Sequence, residues 1–277
     1  MLSEFTNLRP VSNLQYVSKL TERVVFDQMH AHLTSHGLYP PFQSAYRKCL
    51  STVTALLKVQ NDILINLDSQ RVTLLVLLDL SAAFETVDHG VLLNRLSTSC
   101  RVRGLALQWF TSYLLNRSQR VSFDQNLSEK FNLQCGVPQG LCLGPLLFTI
   151  YASKLFEVIK NYLPQSHAYA DDTQLYVSFN TDSACSQNDA VEAMEQCIQA
   201  IPSWMIKDKL GLNDNKTEFM NIGTRKQLAK VNIDGLSIGE SIIAPVTSVR
   251  NLGSWFDQNL GMIPHINKIC KTASFHI

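Results

Sequence analysis

An α+β fold is predicted for this 277-residue chain by three features of its sequence. A continuous apolar run of strand length, VTLLVLLD, ends in Asp79. Two strand-like runs, HAYA and TQLYVSF, are joined at Asp171-Asp172 with the spacing of a hairpin. Around them, several stretches repeat apolar residues at helical intervals. With 45% hydrophobic and 17% charged residues the chain can bury a sizeable core, and its length admits one large domain or two smaller ones. Disorder and collagen-like repeats are excluded.

The elements follow in order. From Val17, the apolar Leu20, Val24, Val25 and Met29 mark a helix with Ser12 or Asn13 upstream as a cap. The Tyr39-Pro40-Pro41 break precedes a second helix after Ser51, with Val53, Leu56, Leu57, Ile63 and Leu64 on one stripe. The run from Arg71 to Asp79 reads as a strand buried on both faces, with an acid at its exit. HGVLLNRL and GLALQWFTSYLL are helices separated at Gly104, and 120–124 and 130–135 read as paired strands. GVPQGLCLGP holds three Gly and two Pro, a loop of fixed backbone shape feeding an apolar helix over 144–161. After the hairpin come a helix over 184–210, short strands around EFMNIG, KVNIDG and LSIG, and a helical tail from Met262.

Composition narrows the function classes. Lys and Arg number 24 against 23 Asp and Glu, so the net charge of +1 does not advertise a nucleic-acid partner, and any case for one rests on local residues. The seven cysteines are odd in number and form no C-x-x-C pair, which argues for reduced intracellular thiols and against a disulfide framework or zinc ribbon. His30, His32 and His36 have no convergent ligand set around them and are read as helix-surface histidines. The first twenty residues lack the apolar core of a signal peptide, and the run Leu74 to Leu78 is far too short to span a bilayer. No membrane partner is expected, and neither the compartment nor the oligomeric state is legible.

The chemistry-bearing pattern is carboxylates at strand ends, Asp79 on one strand and Asp171-Asp172 at a hairpin tip. Crowded carboxylates repel one another unless cations sit between them. Oxygen ligands of this kind suit Mg²⁺, which completes its shell with water and phosphate oxygens. Two such ions would bracket an in-line phosphoryl displacement. Taken singly, an acid at a strand end is an everyday solubilising feature, and a D-D pair is a favourable turn sequence.

Order adds specificity. The blocks LLVLLDLSAAF, CGVPQGLCLGPLLF, YADD and LNDNKTEF, in that sequence, closely resemble those of reverse transcriptases of non-LTR (LINE-type) retrotransposons. The resemblance extends upstream through LRPVSNLQYVSKLTERVVFDQM and PFQSAYRKCLSTVTALL and downstream to VRNLGSWFDQNL, almost the whole chain. It implies a right-hand polymerase. The palm is an antiparallel sheet backed by helices from 89–116, 144–161 and 184–210, the fingers are helical, and the thumb is mostly missing. The implied divisions are a fingers segment over 1–70, a palm with the catalytic motifs over 71–222, and the end of the palm with a primer-grip-like hairpin and the start of the thumb over 223–277. The chain is expected to be a catalytic core cut from something longer.

The activity implied is RNA-directed DNA synthesis, adding dNTPs to a DNA primer 3′-OH on an RNA template, with two Mg²⁺ ions or Mn²⁺ as a substitute. A remnant that at most binds nucleic acid is the alternative. Asp79 and Asp171 would ligate both metals, Asp172 would assist, and the carbonyl of Leu80 would complete one shell. Phe84 matches the steric gate under the nucleotide sugar. Gln139 and Gly140 match the loop lying against nucleotide and template, and Arg47 would face the triphosphate or the template backbone. Lys216 matches the lysine thought to protonate the pyrophosphate leaving group, and LGSWFD resembles the primer grip. Three departures stand out. Glu85 replaces the second acid of the block after Asp79, Leu141 replaces a usual Ser, and Cys49 and Leu50 stand where related copies have Gly and a polar residue.

Overall fold

The computed structural model describes residues 11–81, 84–123, 126–212, 216–239 and 241–275. In chain order these form α1 (Tyr16–Ser35), α2 (Thr52–Asp68), β1 (Arg71–Leu78), β2 (Leu80–Ser81), α3 (His89–Thr98), α4 (Gly104–Leu114), β3 (Ser118–Gln119), β4 (Ser122–Phe123), β5 (Asn126–Leu127) and β6 (Phe131–Asn132). The chain continues through α5 (Leu143–Ala152), α6 (Leu155–Ile159), β7 (Gln165–Tyr169), β8 (Asp172–Asn180), α7 (Ala184–Lys207), β9 (Gly211–Leu212), β10 (Glu218–Ile222) and α8 (Arg225–Leu228). It ends in β11 (Leu236–Ile238), β12 (Ser241–Ile243), β13 (Ser248–Asn251), β14 (Ser254–Asp257) and α9 (Ile263–Phe275).

Two compact units interleave along the chain. One takes residues up to 41, 82–153 and 208–210; the other takes 42–81, 154–207 and those from 211 on. Both draw on segments far apart in sequence, and in the second the strands of one sheet come from distant stretches of chain.

The second unit is built on an antiparallel sheet in the order β10-β1-β8-β7. β1 is central, and Val72, Thr73, Leu74, Leu75 and Val76 are all buried, as its unbroken apolar run requires when both faces are covered. Register sorts one face into rows. Tyr176, Leu75 and Met220 stand side by side and form a core with Val59 and Ile63 of α2 and with Val249 and Phe256 of the β13–β14 hairpin. The Tyr176 hydroxyl donates to Asp62 Oδ2 at 2.6 Å, and Lys58 meets the same oxygen, so the charge of a buried carboxylate is countered. The start of α2 is fixed by a capping box between Ser51 and Thr54.

The first unit packs α1, α3, α4 and α5, with every α5 residue except Pro145 buried. Asp88 caps α3 by accepting from Val91 N–H at 2.9 Å. The buried Arg95 pairs with Asp208 at 2.6 Å and stacks over the Tyr151 ring, whose hydroxyl donates to the Asp208 carbonyl.

Several expectations are corrected. The helix over 144–161 is two helices, because Ser153 turns its N–H and Oγ onto the Ile150 carbonyl and closes α5. The strands at 120–124 and 130–135 do not pair as one ladder. Ser118-Gln119 pair with Asn132-Phe131, whereas Ser122-Phe123 pair with Leu127-Asn126, and Ser128 bonds Val121 in between. KVNIDG is not a strand. The Lys230 and Val231 amides close on Gln227 and Leu228 carbonyls, and the Asn232 amide donates to the Gln187 side chain. α1 starts at Tyr16, its N-cap residue Gln15 makes no side-chain cap bond, and the Ser12 amide instead donates to the Gln139 carbonyl. His30 and His32 are half-buried rather than free on the surface, bonded to the Tyr39 hydroxyl and the Cys100 carbonyl. All seven cysteines are free thiols, and no helix among the described residues is long and apolar enough to cross a membrane.

Candidate active site

The same rows that make the core lead into the site. One step beyond Tyr176, Leu75 and Met220, the register places Gln174, Leu77 and Glu218 side by side. Carried one step further, past the ends of the ladders, it places Asp172, Asp79 and Lys216 in line. Side chains two residues apart along a strand share a face. The acids therefore stand where the covered face of the sheet runs out. Lys216 Nζ lies 3.4 Å from Asp79 Oδ2. A cleft of about 510 Å³ opens over this end, lined by Asp79, Asp172, Gln174, Lys216, Glu218 and Arg250 among others.

The hairpin turn is Ala170-Asp171, not Asp171-Asp172, since Tyr169 pairs with Asp172 and closes the ladder. Asp172 is thus the first strand residue, and Asp171 sits at the tip. Ala170 takes a left-handed φ of +59°. Burial and then the nearby Asp171 and Tyr169 push the Tyr46 phenol up to about 12, so Tyr46 lies in the neighbourhood of the acid at the tip. Arg47 is half-buried, its Nη1 donating to the Gln43 carbonyl at 3.2 Å.

A second hairpin borders the cleft. β13 and β14 turn through Leu252 and Gly253, both at positive φ, the geometry of a tight type I′ connection. Just before the turn, Asn251 Oδ1 accepts from Gln174 Nε2 at 2.7 Å, deep in the structure. This hairpin carries the VRNLGSWFD segment.

Phe84, Gln139 and Gly140 lie in the other unit. Phe84 is half-buried with its ring centroid 5.0 Å from that of Phe148, and its carbonyl accepts from Val137 N–H at 2.9 Å, tying Phe84 to the GVPQG segment. Gly140 has φ +88°, a backbone shape that L side chains rarely adopt. A Cβ on Gly144 would meet the Pro138 carbonyl at 2.2 Å, so the loop folds back closely on the start of α5.

Sequence reading did not single out Gln43, Tyr46, Gln174, Glu218, Arg250 or Asn251. The signal available for Gln174 was its polar character at an inward position of an alternating strand. The donors at the row are hard oxygens, two carboxylates with the Leu80 main chain adjoining, and they fit a cation that takes most of its shell from water and phosphate. Among the described residues no three His, Cys, Asp or Glu side chains are grouped so as to hold a metal unaided.

Antiparallel strands presenting carboxylates at one end, backed by helices, define a palm-like α+β fold of the polymerase type. Residues 4–256 match the family model "Reverse transcriptase (RNA-dependent DNA polymerase)". The chain belongs to the reverse transcriptase family and is of the non-LTR, LINE type. It is 26% identical over 268 residues to the probable RNA-directed DNA polymerase from transposon X-element of Drosophila melanogaster, covering 96% of this chain and 28% of that protein. The RNA-directed DNA polymerase from mobile element jockey of the same fly is 24% identical over 279 residues, again with 96% and 28% covered. The chain spans about 28% of the length of these curated relatives. Among solved structures, apo telomerase from Candida tropicalis truncated from its C-terminal domain shares the fold, with a TM-score of 0.56 at 15% identity over 88% of this chain and 44% of that one. Dependence on divalent metal ions goes with the family.

Proposed function

We propose that this chain is the core of an RNA-directed DNA polymerase, extending a DNA primer 3′-OH with dNTPs on an RNA template. The observation that carries this reading is the row of Asp172, Asp79 and Lys216 at the open end of the sheet, in a chain of this family. Asp79, Asp171 and Asp172, with the Leu80 carbonyl, would hold two Mg²⁺ ions, or Mn²⁺ in their place. When bound, such ions polarise the attacking hydroxyl and the phosphoryl oxygens and offset charge on the leaving group.

The chain's own residues do the rest. Lys216 stands by the row as the donor of a proton to pyrophosphate. Arg47 offers guanidinium N–H groups to phosphate oxygens, its planar head oriented by the bond from Nη1 to the Gln43 carbonyl. Phe84, backed on one side by Phe148, presents a ring for the nucleotide sugar. Gln139 and Gly140, on a loop of fixed shape, lie against the nucleotide and template. The β13–β14 hairpin acts as the primer grip, with Arg250 available to the primer backbone. On this reading 1–70 form the fingers, 71–222 the palm, and 223–277 the end of the palm, the grip hairpin and the start of the thumb.

The test is incorporation of dTTP on a primed poly(rA) template. The chain is expected to extend the primer in Mg²⁺ and the Asp171→Asn variant to lose extension by at least about a thousandfold, the scale at which removal of principal electrostatic groups is felt. Full activity in that variant would remove Asp171 from the metal site.

A further inference from the structure

We infer that Gln43 is a positioning residue for Asp171, a side-chain amide that fixes the backbone of the catalytic turn. The inference rests on the reading of Asp171 as a metal ligand. Residues 42–44 run alongside β7 as a short parallel partner: the Ala168 amide donates to the Phe42 carbonyl at 2.8 Å, and the Ser44 amide donates to the Ala168 carbonyl at 3.0 Å. Gln43, 2% exposed, sends its side chain past the end of that pairing to Ala170.

There it makes both hydrogen bonds a strand neighbour would make. Its Nε2 donates to the Ala170 carbonyl at 3.0 Å, and its Oε1 accepts from the Ala170 amide at 2.9 Å. Oε1 also accepts from the Ala45 amide at 3.0 Å, which holds the side chain in place. The two Ala170 groups belong to successive peptide planes. The amide lies in the plane shared with Tyr169, the carbonyl in the plane shared with Asp171. Pinning both fixes φ and ψ of Ala170, and Ala170 is held in a left-handed conformation that a residue with a Cβ adopts only under constraint. Past Ala170, only the torsions of Asp171 itself remain to decide where its carboxylate stands. Central residues of a two-residue turn have no ladder partner, and a buried pair of such groups needs one. Gln43 meets that need from 127 residues away in sequence.

The test compares Gln43→Leu, Gln43→Glu, Asp171→Asn and the unaltered chain in binding Mn²⁺ alone, read as loss of the free-ion electron paramagnetic resonance signal, with thermal unfolding in parallel. Gln43→Leu is expected to weaken Mn²⁺ binding at least fivefold in folded protein. Gln43→Glu keeps the two acceptor contacts but loses the donor to Ala170, and falls between. Should Gln43→Leu fail to fold, the Gln43→Glu variant alone decides. In primer extension, the variants should need more Mg²⁺ for half-maximal rate while their affinity for the primed template stays within twofold.

Unchanged Mn²⁺ affinity in a folded Gln43 variant overturns the inference, and so does an unaltered chain whose Mn²⁺ binding is indifferent to Asp171→Asn. Mn²⁺ binding that depends on Gln43 and Asp171 without any primer extension would instead count against the polymerase reading and leave the positioning role standing.

Discussion

Lys216 Nζ lies 3.4 Å from Asp79 Oδ2, the two residues standing just past the paired ends of β10 and β1. The Lys216 side chain is 67% exposed, and exposed ion pairs contribute little to folding. On the proposed reading it serves chemistry rather than stability. Lys216→Ala should leave the free energy of unfolding within about 0.5 kcal/mol of the original, the usual range for surface substitutions. It should slow dNTP incorporation by about a hundredfold, the lower end of what a positioned proton donor contributes. Lys216→Arg separates charge from proton transfer, since a guanidinium keeps the pairing but does not give up a proton. Incorporation by the Arg variant should stay near that of the Ala variant. Full recovery with Arg would make Lys216 an electrostatic partner only.

Gln174 and Asn251 link the β13–β14 hairpin to β8 through a buried amide-to-amide hydrogen bond, and among the described residues the Gln174 Oε1 and Asn251 Nδ2 atoms have no partner. A buried amide that loses its single side-chain partner bears the desolvation cost alone, about 1–3 kcal/mol. Gln174→Leu and Asn251→Leu should each destabilise the fold by that amount in urea unfolding. The double variant should be less destabilised than the sum of the two, by about 1 kcal/mol or more. Additive losses would mean that the hairpin is held by the Val249 and Phe256 core contacts alone.

How far the sequence foretold this site depends on the range of the interaction concerned. Asp79 was legible because β1 is a single apolar run with an acid at its exit, a local pattern. Asp171, Asp172 and Lys216 were legible through the order of blocks. Their alignment was not, because register between β1 and β10, some 140 residues apart, is set by packing of Leu75 and Met220 and leaves no local trace. Gln43 leaves no local trace for the same reason, since its partner Ala170 is distant and a glutamine beside a loop carries no periodic signal. KVNIDG and the 144–161 stretch misled because the side chains of Gln187 and Ser153 satisfy backbone groups that periodicity assigns to a strand or helix. Cys49 is a case where a departure from the family pattern meets a physical reason. It sits at φ +66°, the left-handed region where the usual glycine is unstrained.

His167 gives the sheet edge a pH dependence whose sign is fixed by its surroundings. The ring is 7% exposed, and Nε2 shares a hydrogen bond of 2.9 Å with Ser44 Oγ. Burial first, and then Lys58, push its pKa below the ordinary 6.5, while Asp62 pulls the other way. The unfolded chain thus takes up this proton near pH 6.5 and the folded chain only at lower pH. Between those two points the unfolded state binds more protons, so stability contributed by neutral His167 is fully present above about pH 6.5 and is lost as pH falls. The loss is at most about 1.4 kcal/mol for each pH unit of that window. His167→Gln keeps a polar partner for Ser44 and removes the titration. Urea unfolding from pH 7.5 to 5 should show the original chain losing stability more steeply than the variant below pH 6.5, with parallel behaviour above it. The other histidines are common to both proteins and cancel in the difference. Curves that run parallel over the whole range would place the titration elsewhere.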